Sequence, residues 1–141
     1  CCQSGHELLL EIILPASKPR TDENYIRTLE RFYHLGIKPD WWKLPPLSAD
    51  SWETVEALVN KNDKHCHGIV ILGLDAPMDV LEAGFNQAAK SAMVKGFAVG
   101  RSIFGEPTKA WLAGSIDDEA FIGQIKANYR FLVDVWNKRA L

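Results

Sequence analysis

The stretch Gly68-Ile69-Val70-Ile71-Leu72-Gly73-Leu74, followed by Asp75-Ala76-Pro77, is apolar at nearly every position until a turn stops it. A half-buried strand alternates apolar and polar residues, whereas an unbroken apolar run is what a strand covered on both faces shows. Such strands belong to parallel sheets flanked by helices. The residues after it agree. From about Met78 to Lys90 apolar positions recur at helical spacing, so the whole stretch reads as one strand followed by one helix.

The same unit recurs on both sides. Upstream, Trp41-Trp42-Lys43-Leu44 reads as a short strand stopped by Pro45-Pro46, and a helix follows from about Ala49 to Asn60 with Ser48 as its N-cap. Before that, Glu7 to Leu14 forms an apolar strand ended by Pro15. A polar loop then leads to a helix from about Asp22 to Leu35, with Thr21 or Asp22 as N-cap and Gly36 as C-cap. Downstream, Lys95 to Val99 reads as the fourth strand, followed by Gly100-Arg101-Ser102 and a helix opening near Glu106-Pro107, where proline suits the first turn. A last amphipathic helix, about Asp117 to Lys138, carries Phe121, Ile125, Leu132 and Trp136 in one stripe. It begins with Asp117-Asp118-Glu119 and ends with Lys138-Arg139, the charge order that a helix dipole favours. Four βα units and a terminal extension predict an α/β fold with a parallel sheet and right-handed crossovers. The sheet is either open and doubly wound or, with four units, half of an eight-stranded barrel.

A chain of 141 residues, 47% hydrophobic and 24% charged, is long enough for one core, so residues 1–141 form a single domain. A net charge of −2 without a Lys/Arg run or basic-aromatic interleaving argues against a nucleic-acid partner. No apolar run approaches the roughly 18 residues of a membrane span, which argues against a membrane partner. The N-terminus has no signal-peptide pattern, and a cytoplasmic location is expected. Cys1, Cys2 and Cys66 are an odd set, which argues against a disulfide framework. His65-Cys66-His67 has the residue types of metal ligands but no second cluster at zinc-site spacing, so no metal is expected and the run reads as a loop ahead of a strand. The chain begins without methionine and soon enters a strand, as a piece of a longer polypeptide would.

Lys43 is the only cation between Pro39 and Pro46. An ammonium on a buried strand loses hydration and tends to a lowered pKa, the condition for attack on a carbonyl as a free amine. The alternative is that it reaches solvent or pairs with a carboxylate. Period-two alternation puts Lys43 and Trp41 on one face and Trp42 and Leu44 on the other. In a barrel, side chains on the Lys43 face point inward, and the C-terminal strand ends line the active site. Glu11 near the end of the first strand, Gly73 and Asp75 closing the third, and Val99 and Arg101 closing the fourth are compatible with that face. In Gly96-Phe97-Ala98-Val99-Gly100-Arg101-Ser102, the strand-end glycine bares backbone N–H groups, the helix start adds positive potential, and Arg101 can grip phosphate oxygens. Two carboxylates, a lysine and an arginine at successive strand ends suit a phosphorylated carbonyl compound. The candidate catalytic residues are Lys43, Glu11 and Asp75, and the candidate phosphate-binding residues are Gly100, Arg101 and Ser102.

Five runs carry a resemblance: Leu9 to Ile13, Gly36 to Leu44, Gly68 to Pro77, Gly96 to Phe104, and Trp111 to Gly114. Together they resemble, in order over nearly the whole chain, the aldolase-type TIM-barrel domain of myo-inositol catabolism (DUF2090-like), often fused behind a 5-dehydro-2-deoxygluconate kinase. Asp40-Trp41-Trp42-Lys43 is the most specific part. The resemblance implies strands five to eight of a class I aldolase (β/α)8 barrel, cleaving 2-deoxy-5-keto-D-gluconate 6-phosphate to dihydroxyacetone phosphate and malonate semialdehyde without a cofactor. It gives Lys43 the Schiff-base role, Gly100, Arg101 and Ser102 the phosphate loop, and Glu11 and Asp75 the proton transfer. It departs from the family at Pro45, where a glutamate often follows Lys-Leu. Two further readings stay open: a non-catalytic phosphosugar-binding or regulatory module appended to a sugar kinase, and an isomerase-like barrel. Half a barrel leaves sheet edges and an apolar face bare, so a homo-oligomer is expected.

Overall fold

Local capping chemistry fixes several of the helix ends. The structure, a computed structural model, describes residues 4–139. The elements run β1 (Leu9–Glu11), α1 (Asp22–His34), β2 (Trp41–Leu44), α2 (Ala49–Asn62), β3 (Gly68–Leu72), α3 (Met78–Gln87), β4 (Val94–Ala98), α4 (Arg101–Leu112) and α5 (Asp118–Lys138). Thr21 caps α1 by accepting from the Asn24 N–H, and Ser48 caps α2 by accepting from the Ser51 N–H. Gly36 follows α1 at a φ of 76°, the left-handed geometry that ends a helix without a Cβ penalty. Cys1 and Cys2 lie outside the described residues, and Cys66 is a free thiol, its pKa raised chiefly by burial. Among the described residues no helix is long and apolar enough to cross a membrane.

All four strands are parallel, in the order β1-β2-β3-β4. Register pairs Glu11 with Lys43, Lys43 with Val70, and Val70 with Gly96. Trp42, Leu44, Ile69 and Ile71 share a buried cluster with Leu29 of α1, Val55 of α2 and Leu81 and Phe85 of α3. The helices thus cover one face, which makes a singly wound, half-barrel-like α/β fold. The other face carries Leu9, Glu11, Ile13, Trp41, Lys43 and Val70. Leu9 is 47% and Ile13 56% exposed, and β1 and β4 each pair on one side only among the described residues. A run as apolar as Gly68–Leu72 suggests cover on both faces, yet Val70 is half-exposed on this bare one.

The last third departs from sequence expectation. Helix α4 begins at Arg101, directly after the strand-end loop, and not near Glu106-Pro107; Pro107 lies inside it and is buried. The terminal helix is no extension. Leu132 and Val135 of α5 are buried and Trp136 packs on Phe85 and Phe97 at ring-centroid distances of 5.4 and 5.8 Å, so α5 is the helix that covers β4. Asn128 lies beside Ile103, just beyond the C-terminal end of β4, while Arg139 shares a cavity with Lys95 at its start. Helix α5 therefore runs antiparallel to β4, and α4 is an insertion at the strand ends.

Pro107 survives inside α4 because its missing hydrogen bond is replaced. A proline at this position cannot donate to the carbonyl of Ile103, four residues back. Asn128 Nδ2 donates to that carbonyl instead, at 2.8 Å. Asn128→Leu is therefore expected to cost about 1–3 kcal/mol, the cost of orphaning a shielded acceptor. Urea unfolding checks this, and an unchanged midpoint would refute the compensation.

The loops at the C-terminal strand ends are tied by Asp22, whose Oδ2 accepts from the Ser48 N–H at 2.9 Å and the Ser48 hydroxyl at 2.8 Å. Burial alone would raise this carboxyl's pKa, but the Ser48 and Ser51 hydrogen bonds outweigh it and leave the pKa lowered. The folded value lies below the unfolded one, so this stabilisation is present above the unfolded pKa and is lost as pH falls through the folded one. The stability difference between wild type and Asp22→Asn should therefore shrink as the pH is lowered through the carboxylate range. A difference constant with pH would exclude the charge as its source.

Candidate active site

Each strand delivers its candidate residue at the end where chain and helix part. Glu11 and Lys43 occupy the last paired positions of β1 and the β1–β2 register, and they meet across it: Lys43 Nζ lies 3.2 Å from Glu11 Oε2. The side chains are 21% and 34% exposed, so the lysine is neither sealed in the core nor unpaired. The expectation of a lysine on a buried strand is met only for one face: period-two alternation sends Trp42 and Leu44 to the helices and Lys43 to the bare face. Its pairing with a carboxylate is the alternative the sequence left open.

The two tryptophans before Lys43 hold the strand from opposite sides. Trp42 is fully buried, donates from Nε1 to Tyr33 Oη at 2.8 Å and packs against the Phe32 and Tyr33 rings. Burial pushes the Tyr33 phenol up to about 12, which keeps it a neutral partner. Trp41, on the Lys43 face, donates to Glu7 Oε2 at 2.7 Å and lies against His67. Asp40 Oδ2 accepts from the Leu8 N–H at 2.7 Å, which ties the β1 entry to the β2 entry. Of Asp40-Trp41-Trp42-Lys43, three residues thus set strand position and the fourth faces the site. His67 Nε2 lies 3.6 Å from Glu7 Oε1 and the Cys66 thiol faces the Gly68 carbonyl, both at the opposite end of the sheet from Lys43.

Beyond β3 the chain turns through Gly73, Leu74, Asp75 and Ala76, closed by Ala76 N–H donating to the Gly73 carbonyl at 2.9 Å. Leu74 and Asp75 have φ values of 48° and 65°. Left-handed backbone costs a non-glycine residue about 1–2 kcal/mol, and strain of this kind gathers at functional sites. Gly73 is required by close approach: a Cβ there would lie 2.8 Å from Val99 Cγ1 and 3.1 Å from Ser102 Oγ.

These strand ends enclose a cavity of about 310 Å³. Glu11, Lys43, Asp75, Gly100 and Arg101 all line it, so five of the six residues singled out from sequence share one concavity. Asp75 leans toward α4, where it adds to the field that raises the Lys109 pKa, an effect due mainly to the hydrogen bond that Lys109 Nζ donates to Glu106 Oε1. Ser102 does not line the cavity. Its hydroxyl is buried behind the strand-end loop without a hydrogen-bond partner. Gly100 is the N-cap of α4 and offers no side-chain cap, which leaves that helix end open toward the cavity.

Ile13 and Phe104 also line the cavity, and sequence reading did not select them. Phe104 is 43% exposed and stands three residues after Arg101 on the first turn of α4, so the two share a helix face. Starting the helix at Arg101 would have revealed the pair. The cavity therefore offers a cation able to attack or bind, two carboxylates able to move a proton, an arginine at an open helix N-terminus, and an apolar patch. No curated protein matches the chain. A family does match it, over residues 1–140: DUF2090, described as an uncharacterized protein conserved in bacteria, and the chain belongs to that family.

Proposed function

We propose that this chain is the strand-five-to-eight half of an aldolase-type (β/α)8 barrel and carries a class I, Schiff-base aldolase site. The substrate class is a phosphorylated keto sugar acid, 2-deoxy-5-keto-D-gluconate 6-phosphate, with dihydroxyacetone phosphate and malonate semialdehyde as products. One observation carries the reading: Lys43, two carboxylates and an arginine, drawn from four different strand ends, converge on one cavity. The proposed setting is the cytoplasm, with a sugar kinase fused in the parent protein.

Attack on the ketone needs the free amine, and Glu11 Oε2, 3.2 Å from Lys43 Nζ, is placed to accept the proton. Lys43 Nζ then bonds to the ketone carbon, and water leaves to give an iminium. The iminium takes up the electron pair of the breaking C–C bond while Glu11 or Asp75 removes the proton of the hydroxyl β to the former ketone. The aldehyde departs, the enamine regains a proton, and water releases the ketone product and Lys43. Arg101 and the α4 N-terminus hold the phosphate.

Borohydride reduction in the presence of dihydroxyacetone phosphate tests this chemistry. A reduced adduct on the Lys43 peptide is expected. Its absence would favour the second reading, a phosphosugar-binding module without chemistry, which the Lys43–Glu11 ion pair and the buried Pro45 support. Arg101→Ala is expected to raise KM for the phosphorylated substrate by about tenfold to a hundredfold with a smaller effect on kcat, because a charge-assisted contact of about 1.5–3 kcal/mol is lost equally from ground and transition states. An unchanged KM would remove Arg101 from the phosphate site. The bare sheet face and free edges further support self-association, with a second copy the proposed partner. Sedimentation should find dimers or larger species, and a monomer at high concentration would refute the association.

A further inference from the structure

A second cluster of cations lies at the N-terminal end of β4, away from Lys43. Lys90 from the segment after α3, Lys95 from β4 and Arg139 from the C-terminal end of α5 line one cavity of about 390 Å³ with Ser91. Among the described residues no carboxylate lines it and none of the three cations is in an ion pair. Ser91 donates its hydroxyl to Glu56 Oε2 at 2.6 Å.

Two of these cations are fixed in place. The register shift between Ile69 and Val70 makes Lys95 the extra residue of a β-bulge, a device that re-aims a side chain. The Lys95 stem then crosses Gly68, where a Cβ would lie 2.5 Å from Lys95 Cγ. Arg139 lays its guanidinium over the Trp136 ring, 3.4 Å from the centroid, and donates from Nη1 to the Trp136 carbonyl. Its Nε is buried without a partner, and burial lowers its pKa. A counter-anion at Arg139 would recover the energy of its desolvated charge, and the two exposed ammonium groups beside it are placed to share that anion.

We infer that Lys90, Lys95 and Arg139 form a binding site for a phosphate group, free or esterified, at the opposite end of the sheet from the proposed catalytic cavity. This site does not rest on the aldolase reading. Its recognition is electrostatic and bidentate: Arg139 offers the donors not spent on Trp136, and the two ammonium groups close around the remaining oxygens.

Titration calorimetry with inorganic phosphate on the Arg101→Ala chain tests the inference, because that background silences the other proposed phosphate site. One saturable event should remain, and Lys95→Gln and Arg139→Gln should each weaken it by about tenfold or more. Lys95→Arg should keep it. Glycerol 3-phosphate in the same titration separates the two forms of ligand: tighter binding than phosphate marks an ester site and weaker binding a free-phosphate site. The absence of a saturable event up to about 10 mM phosphate would overturn the inference. So would an event that survives both glutamine variants unchanged. If Arg139→Gln unfolds through loss of its Trp136 contact, Lys90→Gln and Lys95→Gln, which leave that contact intact, decide the outcome.

Discussion

In the Lys43→Met variant, the proposed cleavage of a phosphorylated keto acid is expected to fall by on the order of 10⁴-fold or more, the scale on which loss of a covalent nucleophile acts. Borohydride should then fix no ketone to the protein. Methionine keeps most of the stem and removes the amine, and Lys43 sits on the sheet face that no helix covers, so the substitution opens no core cavity. The loss should therefore appear in kcat with the thermal midpoint little changed. Glu11→Gln gives the companion result. It preserves shape beside Nζ but removes the proton acceptor at 3.2 Å, so a reduction of about 10²–10⁴-fold with some residual trapping is expected if Glu11 moves protons. Full activity in Lys43→Met would end the Schiff-base proposal, whatever the fate of Glu11.

Trp42→Ala should have the largest effect on stability, about 3–5 kcal/mol. The side chain is fully buried among Phe32 and Tyr33, and its removal also strands the Tyr33 hydroxyl that accepts its Nε1–H. A domain with 5–15 kcal/mol in total can lose its cooperative transition to such a change. The melting temperature should fall by roughly 10–20 °C. Trp42→Phe separates the two contributions, because a ring remains and only the Tyr33 partner and part of the volume are lost, so a smaller drop is expected. An equal drop for both variants would mean that the ring retained by phenylalanine contributes nothing and that the effect lies in the Tyr33 hydrogen bond and the outer part of the indole.

The site was legible where strand-end position determines it. Glu11, Lys43, Asp75, Gly100 and Arg101 could be selected because alternation and parallel βα order bring strand ends together wherever the helices lie. Phe104 could not, because its place depends on where α4 starts, and Pro107 drew the expected start past it, to near Glu106-Pro107. The proline rule assumes that no outside donor repairs the helix; Asn128, 25 residues away in sequence, does so. Ser102 followed the strand-end logic but turned inward, since close approach at Gly73 leaves its hydroxyl behind the loop.

By itself the sequence determined what nearest neighbours control: the alternation of apolar strands and amphipathic helices, the caps at Ser48 and Gly36, and the face shared by Trp41 and Lys43. These rest on hydrogen bonds and periodicities that span only a few residues. Only the tertiary structure decided that α5 covers β4 while α4 stands at the strand ends, that Leu74 and Asp75 turn through left-handed backbone, and that Lys43 meets Glu11 rather than solvent. Each depends on groups distant in the chain, whose contacts become favourable together only when the shared core closes.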